Sequence, residues 1–298
     1  MSLIEINKKK DVNSEPLPGT LYLVGTPIGN LGDLSPRAQS ILKNVSLIAC
    51  EDTRRSGQLL RKIDSKTPLL SYHKHNIKSR IPQILKILKE NGSIALISDA
   101  GLPGISDPGE ELVQSARSKN HKVICIPGPC AATTALVISG LPSQRFCFEG
   151  FLPKKQSARK KILTNISKEE RTTIIYESPH QIVNLLKELS NLCGKDRNVQ
   201  IGRELTKIFE ESIGETIKEA LEYFEVNSPK GEFTIVLAGN SNQKKERIIN
   251  KLEIINKLKI LIDNGHKPKE AAKIISDETG YSKNFLYSEL HKYNDVNK

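Results

Sequence analysis

The chain has no tryptophan, a single methionine, seven tyrosines and seven phenylalanines. Few rings mean few stacking platforms, so a nucleic-acid partner would be held by shape and backbone contacts ahead of base stacking. Five cysteines occur, Cys50, Cys125, Cys130, Cys147 and Cys193, and no two stand in the C-x-x-C spacing of a zinc or thioredoxin-like site. Reduced thiols, no metal and a cytoplasmic location are therefore expected. No apolar run approaches the roughly 18 residues of a membrane span, so no membrane contact is expected. The first nineteen residues lack the apolar stretch of a secretory signal and carry acids that a transit peptide avoids; they read as a mobile arm. Also missing are the dinucleotide fingerprint G-x-G-x-x-G, a Gly-Lys-Ser/Thr phosphate loop and the G-x-S-x-G elbow, which leaves hydrolase chemistry without support.

What is present suits about two soluble domains: 298 residues, 37% hydrophobic and 27% charged. The net charge of +11 makes a polyanionic partner worth testing. From Thr20 to Ile126 short apolar runs alternate with amphipathic stretches: LYLVG, a helix after Ser35-Pro36, SLIAC, TRRSGQLLRKI, helical spacing over Ser79 to Asn91, IALIS, EELVQSARS and KVICIP. Runs this apolar suit a largely parallel sheet covered on both faces. Past the helical stretch Ala131 to Ser139, LPSQRFCFEGFLP marks a domain junction near Leu141.

The second half reads as helix (Ser157 to Ile166), strand (TTIIYES), helix (Pro179 to Cys193), strand (NVQIGREL), strand (IFEESIG), helix (Thr216 to Glu225) and strand (GEFTIVLAG). A hairpin about Thr206-Lys207 predicts a mixed sheet. Residues 240–298 are Lys-rich and helical in period, with helices over Pro268 to Glu278 and Lys283 to Tyr293 about a Gly280-Tyr281-Ser282 turn. Ala271, Ala272, Ile275, Phe285, Leu286 and Leu290 are available for a small core. Spacing leaves open whether this is a helix-turn-helix pair or an ordinary helical hairpin. The expected domains are thus 20–140, 141–239 and the extension 240–298.

Four loops at strand ends hold most of the glycine and proline of the first half. Gly25 to Asp33 (GTPIGNLGD) follows LYLV, at the carboxyl end where open α/β sheets bind small molecules. Ser98 to Gly109 (SDAGLPGISDPG) is long for a connection inside a domain, and such loops are usually functional. Of its carboxylates, Asp99 is assigned to a ligand and Asp107 to capping the next helix, with Pro108 at the first helical position. Pro127 to Ala132 offers small side chains for a flat ring or for tight helix–strand packing. Glu51-Asp52-Thr53-Arg54-Arg55 follows SLIAC; Asp52 and Thr53 suit capping, while Glu51 with Arg54 forms a polar unit at a strand terminus. His73 and His75 lack a third metal ligand and read as surface or substrate-lining residues.

Taken together, LYLVGTPIGNLGDLSPRA, CEDTRRS, ISDAGLPGISDPG, PGPCAA, FEGFLP, YESPH, RELTKIFEE and GEFTIVLAG resemble the tetrapyrrole-methylase superfamily, and within it the ribosomal RNA small subunit methyltransferase I family. The resemblance covers roughly Thr20 to Gly239. It implies a class III methyltransferase fold, two α/β domains clasping S-adenosylmethionine, here with a helical C-terminal extension. The implied cofactor contacts are Ile28, Asp99, Ala100, Gly101, Ile105, Cys130, Ala131 and Glu177. Carbonyls and carboxylates suit a sulfonium cation, which helix N-termini would repel.

The implied reaction is 2′-O-methylation of a cytidine ribose in 16S ribosomal RNA, within the assembled small subunit, by a homodimer. In-line displacement needs an oxygen held behind the methyl group and an acceptor for its proton. Glu51, Asp52 and Glu204 are candidate acceptors; Arg54 and Arg203 could grip phosphate, or Arg203 and Glu204 could form only an internal ion pair. Lys154, Lys155, Arg159, Lys160 and Lys161, in a stretch without acids, are the expected RNA contacts. Two alternatives remain: a precorrin-type tetrapyrrole methyltransferase, which would not need the basic stretch, and a helix-turn-helix regulator.

Overall fold

A computed structural model describes residues 15–240, 242–279 and 281–296. Residues 15–166 with 171–238 form one compact unit, and residues 167–170 with 239–296 a second. The larger unit holds two five-stranded sheets. The first comprises β1 (Thr20–Val24), β2 (Leu47–Cys50), β3 (Leu69–Ser71), β4 (Ile94–Ile97) and β5 (Lys122–Ile126), in the order β3-β2-β4-β1-β5. Every pairing in it is parallel, so all five strands deliver their following loops to one edge. Between the strands run α1 (Pro36–Asn44), α2 (Thr53–Lys62), α3 (Ile77–Lys89) and α4 (Glu110–Ser118), with α5 (Ala131–Ile138) following β5. Two apolar cores lie against it, one around Tyr22, Ile41 and Ile48, the other around Leu21, Ile84 and Leu112. That double cover is why β4 is apolar at every position.

The second sheet is mixed, as the sequence predicts: β6 (Phe146–Phe151), β7 (Thr172–Glu177), β8 (Val199–Arg203), β9 (Glu211–Ile213) and β10 (Phe233–Leu237), in the order β6-β7-β10-β8-β9. Because β7 and β8 each pair antiparallel with β10, and β6 runs parallel to β7, the carboxyl ends of β6, β7 and β8 share one edge. Register places Phe151 beside Tyr176, and Phe233 beside both Glu177 and Arg203. Helices α6 (Gln156–Lys168), α7 (Ile182–Cys193) and α8 (Ile217–Val226) accompany it, over a core that includes Leu185, Leu186, Ile201 and Ile235.

Several boundaries differ from the sequence reading. Neither β3 nor the edge strand β6 is evident from pattern; β6 carries a bulge between Phe148 and Gly150 that breaks its alternation. The β8–β9 connection is the seven-residue loop 204–210 rather than a tight turn, which shortens β9. Helix α7 begins at Ile182, after a turn in which Gln181 N–H donates to Ser178 C=O. Asp107 does not cap α4: Gly109 occupies the cap position, and Asp107 stays within the preceding loop.

In the smaller unit α9 (Asn242–Asp263), α10 (Pro268–Thr279) and α11 (Lys283–Val296) pack around Ile254, Leu258, Ala271, Ala272, Ile275 and Leu286. Phe285 stays partly exposed and stacks on Tyr281, with ring centroids 5.4 Å apart. The side chain of Leu290, Gly280 and residues 1–14 of the arm lie outside the described residues. No described helix is long and apolar enough to cross a membrane.

Candidate active site where two sheet edges meet

The loops after β1, β4 and β5 are tied to one another through backbone. Gly25 N–H donates to Ile126 C=O (3.1 Å), extending the β1–β5 ladder by one residue. Gly25 and Gly128 then pass so closely that a Cβ on Gly25 would stand 2.6 Å from Gly128 Cα, a separation only a glycine pair tolerates. Thr26 and Gly101 exchange backbone hydrogen bonds of 2.9 and 3.2 Å, and the buried Thr26 hydroxyl donates to Ser98 and Gly101 carbonyls at 3.3 Å each. Ile28, Gly101, Cys130 and Ala131 are thereby brought to one place: Ile28 Cγ2 and Pro129 C=O both lie against Gly101, and Cys130 and Ala131 open α5. Asp99 and Ala100 belong to the same knot, while Ile105 stands partly exposed further along the loop.

The loop after β2 joins through Asp99, whose carboxylate accepts from Asp52 N–H (3.2 Å) and pairs with Arg55 (3.5 Å). Asp52 caps α2, accepting from Arg54 N–H at 2.8 Å, and its carboxylate also binds the Arg54 guanidinium at 2.9 Å. That guanidinium, ahead of the capping bond, holds the Asp52 carboxyl at about 2. A carboxylate so weakly basic is unsuited to accept a proton, and the expected Glu51–Arg54 pair is not formed: Arg54 belongs to Asp52 and is otherwise exposed.

Glu51 acts elsewhere. Burial, and next the Glu51 charge, push the Asp107 carboxyl up to about 6, with Asp99 adding to the rise and Lys74 and a Ser98 hydrogen bond opposing it. The residue read from sequence as a cap is thus the most basic carboxylate among those assigned a shift in the cleft.

Three contacts join this edge to the carboxyl ends of the second sheet. Tyr176 at the end of β7 accepts from Ala132 N–H through its hydroxyl (3.0 Å), which satisfies a first-turn donor of α5. Burial and the neighbouring Cys130 raise its phenol well above the usual range, so it stays protonated. A Cβ on Gly29 would fall on Thr206 and Lys207, and one on Gly150 would stand 3.0 Å from the Ser106 hydroxyl. Beneath lies an apolar layer common to both sheets: Ile28, Ala132, Ala135, Leu136, Ile174, Leu205 and Val236. YESPH is conspicuous in the sequence, but that its tyrosine bridges to α5 requires knowing that the two edges face each other.

Other charged candidates are placed differently from expectation. Arg159 is only 7% exposed and pairs with Glu177 (3.5 Å) and Glu188 (2.8 Å), so its guanidinium is turned inward and not offered to a partner as the expectation requires. Glu177, also 7% exposed, accepts from Ser178 N–H as well (2.8 Å), so its carboxylate is engaged by Arg159 and Ser178. Lys154, Lys155, Lys160 and Lys161 remain exposed. Arg203 and Glu204 do not pair with each other. Arg203 binds Glu211 (2.8 Å) and donates to Lys230 C=O (2.9 Å), whereas Glu204 binds Lys207 (2.8 Å). Against a burial that alone would raise it, Lys207 and Glu232 N–H hold the Glu204 carboxyl below its ordinary value, again a poor proton acceptor. Among the described residues no three His, Cys, Asp or Glu side chains gather as a metal site.

The cradle combines close backbone, small side chains and one apolar wall, with Glu51, Asp99 and Asp107 supplying negative charge beside it. That donor set fits a ligand with a flat ring and a compact cation. The α5 terminus does not oppose it, since Tyr176 takes up one of its free N–H groups.

A profile of the Tetrapyrrole (Corrin/Porphyrin) Methylases matches residues 20–221. Two solved structures share the fold: cobalt precorrin-4 methyltransferase (TM-score 0.57, 16% identity, 74% of this chain and 95% of that one) and uroporphyrin-III-C-methyltransferase from Thermus thermophilus (0.53, 16%, 76% and 98%). Fold and cleft thus define a two-lobed S-adenosylmethionine-dependent methyltransferase. Relatives named ribosomal RNA small subunit methyltransferase I are much nearer in sequence. The protein of Synechocystis is 44% identical over 90% of this chain and 96% of its own length, and that of Escherichia coli O157:H7 40% identical over 94% and 97%. The chain belongs to the ribosomal RNA small subunit methyltransferase I family. A Thermotoga maritima relative, 45% identical, is matched over 99% of its length by 74% of this chain, so about a quarter of the present sequence has no counterpart there.

Proposed function

We propose that the chain methylates the 2′-hydroxyl of a cytidine ribose in 16S ribosomal RNA, acting in the cytoplasm on the assembled small subunit. The observation that carries this reading is near-full-length identity of 40–44% to relatives bearing the ribosomal RNA methyltransferase name. Ile28, Asp99, Ala100, Gly101, Ile105, Cys130 and Ala131 would hold S-adenosylmethionine. When bound, that cofactor supplies an electrophilic methyl carbon on a sulfonium.

The chain's own contribution is placement and a proton acceptor. Asp107 takes the acceptor role: with its carboxyl near 6 it is ionised at neutral pH, yet more basic than an ordinary aspartate. Glu51 and Asp99 are positioning residues, the first raising Asp107's basicity, the second bracing the α2 loop. Lys154, Lys155, Lys160 and Lys161 meet RNA phosphates without reading sequence. Exposed Val137 and Ile138 at the end of α5 support a homodimer.

The test is incubation of the purified chain with labelled S-adenosylmethionine and undermodified small subunits, followed by mass spectrometry of the nucleosides. Labelled 2′-O-methylcytidine is expected. Label on a base, or none, overturns the proposal.

A further inference from the structure

Loop 204–210 is held more firmly than a connection of its length requires. Leu205 is buried in the apolar layer beneath the cleft. Glu204 N–H donates to Glu232 C=O (3.0 Å), Glu232 N–H returns to the Glu204 carboxylate (2.9 Å), and Lys207 Nζ reaches both carboxylates at 2.8 and 3.0 Å. Thr206 N–H donates to the Glu210 carboxylate. Glu204 and Thr206 are both in the left-handed region (φ 49° and 66°), which non-glycine residues occupy only where their surroundings impose it. The segment so braced displays Ile208 and Phe209 at 92% and 70% exposure, beside the Gly29 loop of the cleft.

A second exposed ring stands on the same edge. Phe151 ends β6 at 62% exposure, its ring 5.5 Å from that of Tyr176, and Lys154 and Lys155 follow it. From β6 to β8 is three strand steps, roughly 14 Å at the usual strand spacing. The cleft joined by Tyr176 lies between.

We infer that Phe151 on one side and Phe209, flanked by Ile208, on the other present aromatic stacking platforms for unpaired bases flanking the nucleotide to be methylated. This rests on the reading of RNA as substrate and deepens it: the chain takes a splayed, single-stranded stretch, not a duplex. The occupant follows from the setting, since a chain of net charge +11 favours a polyanion and both rings border the cleft that would receive the ribose. Bases outside a helix are commonly held on aromatic faces. Scarcity of rings predicts a minor role for stacking, and this placement assigns the few rings at the cleft a larger one.

The test uses the full chain with undermodified small subunits for turnover and a fluorescent single-stranded oligocytidylate, free or annealed to its complement, for binding. Phe209→Ala and Phe151→Ala should each raise KM for subunits and Kd for the single strand roughly 5- to 100-fold. Calorimetric affinity for S-adenosylmethionine should not move in either variant; the melting temperature should hold for Phe209→Ala, whose ring is exposed, and fall slightly for Phe151→Ala, which also loses its ring contact with Tyr176. Phe209→Trp should restore binding and Phe209→Leu should not. Wild-type turnover with unchanged variants overturns this inference alone, as does Phe209→Leu performing like Phe209→Trp, preference for the duplex, or a Phe209→Ala chain that becomes a monomer where the wild type sediments as a dimer. A wild-type chain that neither binds the single strand nor methylates subunits overturns the functional reading and this inference with it.

Discussion

The two sheets of the larger unit spend their polar and small residues differently. The all-parallel sheet brings loops together by backbone, with glycine, alanine and threonine letting main chains touch, and leaves Asp107 under the charges of Glu51 and Asp99, which Lys74 opposes. The mixed sheet does the reverse: Arg159, Glu177, Glu188, Arg203, Glu204, Lys207 and Glu211 are closed into ion pairs. The first lobe pairs Asp52 with Arg54 and Asp99 with Arg55, pairs that do not take in Glu51 or Asp107; the second uses its charges to hold its edge in place. Charge near a cleft is therefore weak evidence of catalysis unless its partners are known.

That contrast breaks first at Arg159. If its pairs are structural, Arg159→Ala leaves Glu177 buried without a cation and should cost about 3–5 kcal/mol of stability, measured by urea unfolding, with little change in the salt dependence of RNA binding. If Arg159 were an RNA contact after all, stability would hold and the salt slope would fall.

The largest expected loss on the other side of the comparison is at Asp107. Asp107→Asn should lower kcat by roughly 10²–10⁴ while S-adenosylmethionine still binds. Stability should respond in the opposite sense. Between about pH 4 and pH 6 the folded chain retains on Asp107 a proton that the unfolded chain, titrating near 3.8, has released, so stability falls as pH rises through that window. Asp107→Asn should flatten that fall. Glu51→Gln should bring Asp107, followed by NMR titration, back toward the ordinary aspartate range; an unmoved titration would remove Glu51 from the account.

Next in size comes the backbone crossing. Gly128→Ala would place a Cβ 2.7 Å from Gly25 Cα, forcing the loops after β1 and β5 apart. A cost of about 1–3 kcal/mol is expected, together with weaker S-adenosylmethionine binding by calorimetry. Gly104→Ala, in the same glycine-rich stretch but with nothing within 4 Å of its Cβ, should leave that crossing alone and serve as a control, although its φ of 86° adds backbone strain of its own.

The difference between the lobes also explains what could be read in advance. Elements of the parallel sheet follow from apolar runs and from local caps such as Ser35, whose side chain accepts from Ala38 N–H at 3.1 Å; both signals lie within a few residues. EELVQSARS is α4 to the residue. The four loops were legible as a group because each follows a strand of the same direction. Partners across longer separations were not: Arg159 lies 29 residues from Glu188, and Ala132 lies 44 from Tyr176. Asp107-Pro108 looks like a helix start, yet α4 begins only at Glu110, because Gly109 takes the cap position. Local chemistry proposed a cap there, and the tertiary setting of Glu51 and Asp99 gave the carboxylate another environment.

The smallest effect tests the part of the basic stretch that stays free. Lys154 and Lys155 are exposed beside Phe151, and neighbouring Lys160 and Lys161 face solvent from α6 while Arg159 turns inward. Phosphate contacts of this kind contribute through counterion release, so each lysine that meets a phosphate adds a little less than one to the slope of log affinity against log salt. Lys154→Ala with Lys155→Ala should lower that slope by up to about 2 for undermodified small subunits, slightly weaken binding at low salt and leave kcat unchanged, since neither residue reaches the reacting groups. The paired Lys160→Ala and Lys161→Ala change, on the helix, sharpens the comparison. An equal loss there means that RNA lies along α6, whereas a loss confined to Lys154 and Lys155 keeps it on the edge that carries Phe151 and the cleft.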